Sequence, residues 1–372
     1  MPSKVAMPIE APALVAVTGA NGFIAQHCIA ALLEKGYRVV GTVRSHAKVD
    51  AVRQAHAGGG AGAGAQHPKL SVVVVADITD PDQYRAALEP LSPAAVLHLA
   101  SPFHYRATDF ERELMVPAVR GATALLEACA AMRSVKRVVH TNSFACIYDA
   151  AAGLQPAKTY TARDWSPLTY ADGVDAADAA TAYRACKTAA ERAAWRFVAA
   201  NDKKSRAAAV GFDLVSLCPA MVFGPFLPKA KPRSIADVNT SNLLVWAVAG
   251  ADAGAGAVLP PTKGPVWVDV RDVADAHVRA LAVPEAGGRR FLLAQGVYCN
   301  QELADVARKV LPPAYQARIP LGKPGVREAH THFGVDATET ERVLGVSWRG
   351  LEDCLRDLVP QLYEIEAQQN KG

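Results

Sequence analysis

Tyr183 and Lys187 stand four positions apart in "TAYRACKTAAERAAW". The apolar spacing of that stretch predicts a helix, so the two side chains share one face. A phenol with an ordinary pKa of about 10 is a poor proton donor or acceptor at neutral pH unless its surroundings shift it. A lysine ammonium beside it stabilises the phenolate and lowers that pKa. Such a pair suits reduction of a carbonyl, whose oxygen must take a proton as its carbon takes a hydride. Ser143 in "VVHTNSF" would hydrogen-bond the same oxygen, where negative charge develops. On this reading Tyr183 is the proton donor, Lys187 its tuner and Ser143 the anchor of the substrate oxygen.

These residues need a scaffold. Short runs rich in Val, Ile and Leu ("ALVAVTG", "YRVVGTV", "LSVVVVAD", "AAVLHLA", "VKRVVHTNS", "FDLVSLCP") alternate with stretches of helical spacing, such as 22–35, 116–132 and 180–199. Continuous apolar strands between helices predict an α/β fold, a doubly wound parallel sheet covered on both faces. Ser143 would close the fifth strand, at the sheet edge where ligands bind in such folds.

The first strand runs into "VTGANGFIAQH", from Val17 to His27. Gly19 permits a tight turn, Gly22 lets a pyrophosphate approach the helix N-terminus, and Ala25 is small enough for close helix–sheet packing. An NAD site places an acid roughly 20 residues further on, at the end of the second strand. Here that stretch reads Gly41-Thr42-Val43-Arg44-Ser45, and Asp50 lies too far along. Arg44, with Lys48 a helical turn later, favours a 2′-phosphate and therefore NADP over NAD. Asp77, ending the third strand, is placed either to accept from the adenine amino group or to cap the next helix.

The 372 residues carry 40 basic and 36 acidic side chains, with no block of five like charges. Nucleic acid and membrane surfaces are not implied. Seven scattered cysteines without a C-x-x-C pair suit free thiols in a reducing compartment. No secretion signal is read, and no stretch approaches the roughly 18 apolar residues that span a bilayer, so a cytoplasmic location is expected. "AHAGGGAGAGAQH", 55–67, reads as a surface insertion. After "CPAMVFGPFLPKAKPRS" the alternation weakens, marking a boundary near 225. We expect a dinucleotide-binding domain over 1–225, rejoined by 266–283, and a smaller, partly discontinuous C-terminal substrate-binding lobe over 226–265 and 284–372. In "VWVDVRDVADAHVRAL" either Asp269 or Asp272 would cap a helix.

His330-Thr331-His332 has the spacing of two ligands on one strand face but no carboxylate or thiol close by, so no metal site is expected. His98 and His140 read as packed polar residues. Phe103, Phe144, Met221 and Phe223 follow strand ends and are candidates for an apolar substrate wall.

The ordered motifs "VTGANGFIAQHCIAALLEKGYRVVGTVRS", "VLHLASPF", "RVVHTNSF", "AYRACK", "CPAMVFGP" and "VDVRDVADAH" cover most of residues 14–280. The chain resembles the extended short-chain dehydrogenase/reductases, and among them fungal NADPH-dependent aldehyde and ketone reductases of a methylglyoxal-reductase-like and dihydroflavonol-reductase-like kind. The resemblance implies a Rossmann fold, NADPH, a small carbonyl substrate, and Ser143, Tyr183 and Lys187 as the catalytic set. It implies cofactor contacts from Gly19, Asn21, Gly22, Phe23 and Ile24, from Arg44, Lys48, Asp77, Ile78 and Ala100, and from Tyr183, Lys187, Pro219 and Val222. Asn142 replaces a hydroxyl residue usual before Ser143, and Cys218 a usual Asn, which bears on substrate preference. The chain is expected as a monomer or homodimer. A nucleotide-sugar epimerase or dehydratase, or a non-catalytic NADP-sensing regulator, would share the fold.

Overall fold

A computed structural model describes residues 7–57, 67–101, 107–202, 210–250, 258–327 and 332–370. The first half alternates strictly: β1 (Leu14–Thr18), α1 (Phe23–Glu34), β2 (Arg38–Val43), α2 (His46–Ala55), β3 (Leu70–Val74), α3 (Pro81–Leu88), β4 (Ala95–His98), α4 (Val116–Ala131) and β5 (Arg137–Thr141). There follow β6 (Thr159–Tyr160), α5 (Tyr170–Val174), α6 (Ala179–Asp202), β7 (Asp213–Pro219), β8 (Met221–Phe223), α7 (Thr240–Ala249), β9 (Val266–Asp269) and α8 (Val270–Ala282). The chain ends with β10 (Arg290–Leu293), β11 (Gly296–Val297), α9 (Asn300–Val310), α10 (Pro313–Gln316), β12 (Gly334–Val335), α11 (Thr338–Leu344) and α12 (Leu351–Gln369).

Seven strands pair in the order β10-β7-β5-β4-β1-β2-β3, every pair parallel. Consecutive residues of β1 serve opposite faces, which is why the strand is apolar throughout. Val15 and Val17 pack with residues of α1, α2 and α8, whereas Ala16 packs with Tyr84, Leu88, Leu125 and Ala194 of α3, α4 and α6. The expected doubly wound α/β sheet is therefore present. The order of strands reverses at β1 and β4, with β2 and β3 added on one side and β4, β5 and β7 on the other, so the turn after β1 opens onto a crevice at the carboxyl edge.

A second core gathers Phe223, Val245, Trp267, Leu303, Leu355, Leu358 and Leu362 around the small sheet β11-β9-β8 and helices α7, α9 and α12. Residues 290–293, expected outside the main sheet with the rest of 284–372, pair with β7 as its edge strand. Only four residues long and preceded by "AGGRR", β10 carries too little periodicity to stand out in the sequence, yet Phe291 and Leu292 are fully buried. Asp269 caps α8, accepting from Arg271 N at 2.8 Å, and Asp80 caps α3 through Asp82 N at 2.9 Å, which removes Asp77 as that cap.

Glu111–Ala131, a π-helical turn leading into α4, forms a 21-residue helix long and apolar enough to cross a membrane. Its composition reflects packing instead: Leu125, Leu126 and Cys129 meet the sheet, and Met115, Ala118 and Ala122 meet Ala185, Cys186 and Ala190 of α6.

Candidate active site

Gly19 has φ +65°, and a Cβ there would lie 3.0 Å from Ala100 Cα. Only glycine combines that backbone with that approach. Gly22 donates its amide to Gly19 O at 2.8 Å and enters α1 without a side-chain cap, leaving the first-turn amides for a ligand. Ala25 is buried in the first core, as its packing role requires. Thr18 Oγ1 accepts from Leu99 N at 3.1 Å and Ala100 N at 2.9 Å and meets His98 Nδ1 at 2.8 Å, tying the ends of β1 and β4 together. Burial lowers the His98 pKa and drops that of His140 to about 4, so both are neutral packed rings.

Arg44 directly follows β2 and Lys48 lies in the first turn of α2, both exposed and neither side chain hydrogen-bonded or ion-paired among the described residues. Two unpaired cations where an acid would mark NAD fit a 2′-phosphate. Asp77 accepts from Thr79 N at 2.8 Å and Thr79 Oγ1 at 2.7 Å, which lowers its pKa and fixes an exposed turn. Ile78 rests against α4 where Gly121 leaves room; a Cβ there would stand 3.2 Å from its Cδ1. The glycine cradle, the uncapped helix and the free cations together fit a dinucleotide phosphate.

A cavity of about 600 Å³ runs from this turn to the ends of β5 and β7. Gly19, Gly22, Phe23, Ile24, Ser143, Tyr183, Pro219 and Val222 line it, whereas Asn21 and Ala100 do not. Ser143, two residues beyond β5, is extended and caps the next helical turn, its Oγ accepting from Ala145 N at 3.1 Å and hydrogen-bonded with the Tyr183 hydroxyl. Burial pushes the Tyr183 phenol above its usual range, and the Ser143 bond only partly opposes this. Lys187 Nζ lies 5.7 Å from the Tyr183 ring centroid and donates to Ser101 Oγ at 3.0 Å. Its own pKa is lowered by burial. The phenol is therefore not lowered as the sequence reading expected: desolvation penalises both charged forms, and the ammonium is turned to Ser101.

Behind the cavity lies a cluster that sequence reasoning missed. Glu191, eight residues beyond Tyr183 on α6, is fully buried and accepts from Arg290 Nε at 2.9 Å, Arg290 Nη2 at 3.0 Å, Ser216 Oγ at 2.5 Å, Asn142 Nδ2 at 2.8 Å and Cys146 Sγ at 3.0 Å. Burial alone would raise its pKa, but Arg290 and the Ser216 hydroxyl and Cys146 thiol donors hold it low. Arg290 also donates to Ala162 O at 2.8 Å and lies 3.9 Å over the Trp165 ring. Asn142 thus fixes the backbone before Ser143, and its second bond, to Lys187 O at 3.2 Å, reaches the helix of the Tyr-Lys pair. Cys146, Glu191 and Cys218 have atoms close enough for a metal, but Arg290 already supplies the cation. The periodicity of α6 could have flagged Glu191, which continues the 183, 187 stripe.

Phe144 and Met221 line the cavity as expected. Phe223 does not: it shares a face of β8 with Met221 but lies two residues further along, where it is fully buried in the second core and stacked on Trp267 at 5.8 Å. Phe103 and His330 lie outside the described residues. His332 is buried with Nδ1 2.7 Å from Phe333 O. Tyr148, Arg184, Phe333, Asn239 to Ser241 and Gly264 to Val266 also line the cavity and were not anticipated. Most come from irregular segments without a motif.

Residues 15–294 match the NAD dependent epimerase/dehydratase family. The NADPH-dependent methylglyoxal reductase GRE2 of Saccharomyces cerevisiae is 32% identical over 364 residues, spanning 95% of this chain and 99% of its own. Ketoreductase azaE of Aspergillus niger is 35% identical over 362 residues, spanning 94% of this chain and 97% of its own. The crystal structure of yeast methylglyoxal/isovaleraldehyde reductase Gre2 complexed with NADPH superposes with a TM-score of 0.84 at 32% identity, over 95% of this chain and 99% of that one. Vestitone reductase from alfalfa, at 23% identity and a TM-score of 0.67, shares the fold.

Proposed function

The chain belongs to the NAD dependent epimerase/dehydratase family, and from that premise we propose that it reduces an aldehyde or ketone to an alcohol with NADPH. The observation that carries this is the Tyr183–Ser143 hydroxyl pair at the wall of a cavity continuous with the Gly19–Gly22 turn. Bound NADPH supplies the hydride. The chain's own residues do the rest. Ser143 and Tyr183 hold the carbonyl oxygen, and the Tyr183 hydroxyl, kept protonated by burial, gives it a proton. Lys187 stands behind Tyr183 to reach the nicotinamide ribose and offset the phenolate as it forms. Gly19, Asn21, Gly22, Phe23 and Ile24 would hold the pyrophosphate, Asp77, Ile78 and Ala100 would contact the rest of the adenosine side, and Pro219 and Val222 would wall the nicotinamide. Phe144 and Met221 face the substrate, which the lobe of 226–265 and the later C-terminal segments help enclose. The seven free, buried cysteines suit the cytoplasm, and the chain acts as a monomer or homodimer.

The test is to follow NADPH absorbance with α-dicarbonyls, aliphatic and aromatic aldehydes, β-keto esters and dihydroflavonols. Stoichiometric oxidation is expected with at least one class; a protein that instead retains tightly bound NAD and consumes no NADPH would be an epimerase. Arg44 decides the cofactor. Losing a charge-assisted bond costs about 1.5–3 kcal/mol, so Arg44→Ala should raise KM for NADPH about 10- to 100-fold and leave KM for NADH nearly unchanged. Equal changes for both cofactors would remove Arg44 from the 2′-phosphate.

A further inference from the structure

Among the described residues that line the cavity, Arg184 alone carries a full charge, and no carboxylate lines it. Its guanidinium, charged at every working pH, forms no ion pair among the described residues. Nη1 donates to the Tyr148 hydroxyl at 3.5 Å and Nη2 to Thr181 Oγ1 at 3.1 Å, both neutral, and Nε is buried without an acceptor among the described residues. The nearby Asp178 is already engaged, accepting from Ala180 N, Thr181 N and Thr181 Oγ1 between 2.8 and 2.9 Å. Lys187 adds a second cation behind the same wall, and the charge of Glu191 is taken up by Arg290.

The substrate end therefore carries one positive charge among apolar and neutral polar side chains. Phe144 stacks on Tyr148 at 5.0 Å, and Phe333 lies 5.8 Å from Tyr148, so aromatic rings lead from Ser143 to the phenol that Arg184 touches. A partly buried guanidinium that meets only hydroxyls is short of acceptors, and its planar fork matches a carboxylate. Resting on the reductase reading above, we infer that the preferred substrates are carbonyl compounds that also carry a carboxylate, which pairs with Arg184 while the carbonyl oxygen sits at Tyr183 and Ser143. The carboxylate is a handle and takes no part in the reaction.

The experiment compares kcat/KM for 4-oxobutanoate and 5-oxopentanoate with their methyl esters, in the wild type, Arg184→Met and Arg184→Lys. We expect the wild type to favour at least one acid over its ester by tenfold or more, chiefly through KM. That ratio should fall to near one in Arg184→Met and be partly kept in Arg184→Lys. A wild-type ratio at or below one, or a ratio that Arg184→Met leaves intact, overturns the inference while leaving the reductase intact. No NADPH consumption with any acid, ester or neutral aldehyde overturns the reductase reading itself and this inference with it. Binding of NADPH, followed by its fluorescence, checks that each variant is folded.

Discussion

Tyr183→Phe should still bind NADPH through the Gly19 turn and Arg44 but reduce carbonyls about 100- to 10,000-fold more slowly, the range a positioned general acid supplies. Phenylalanine keeps the ring and its packing between Ser143 and Lys187, so the change removes only the hydroxyl that meets Ser143. Stopped-flow or steady-state NADPH oxidation measures the loss. Wild-type rates within a factor of a few would take the proton donor away from Tyr183. The pH dependence has a definite sign. Burial raises the phenol above its ordinary value, so the acid form persists through the neutral range. Reduction should therefore hold steady there and decline only in alkali, whereas the reverse oxidation of the alcohol, which needs the phenolate as base, should rise with pH.

The parts legible in the sequence are those where one local rule acts alone. The glycine turn is fixed by backbone sterics, the strands by their unbroken apolar runs, and the Tyr183/Lys187 pair by helical spacing. What stayed hidden depends on contacts between distant segments. Phe223 has the right type and neighbourhood for a substrate wall, yet two residues beyond Met221 on the same strand face it is already enclosed by Trp267 and Tyr298 of the second core. Asn142 looks like a defect in a hydroxyl motif until Glu191 is seen to accept its amide. Glu191 and Arg290 are 99 positions apart, and nothing local to "AERAAW" or "GRRFLL" announces that they meet. Phe333 and Tyr160 likewise come together only because β12 pairs with β6.

That hidden pair yields the second large effect. The side chains of Arg290 and Glu191 are 8% and 0% exposed, and removing one partner leaves a buried charge uncompensated, at a cost of about 3–5 kcal/mol. Arg290→Met should lower the unfolding free energy by that amount in a denaturant titration. Replacing both, as Arg290→Met with Glu191→Leu, removes the charge along with its partner and should recover much of the stability. Activity should not follow. Without the carboxylate, Asn142 and Cys146 lose the acceptor that holds the Ser143 turn against α6, and misplacement of about 1 Å at a reacting group can cost on the order of 100-fold. The double variant is therefore expected to be stable and slow, with kcat reduced more than NADPH affinity. If it were both stable and fully active, the cluster would be a packing device with no hold over Ser143. If stability and kcat fell and recovered together, the loss in the single variant would be one of folding rather than of position.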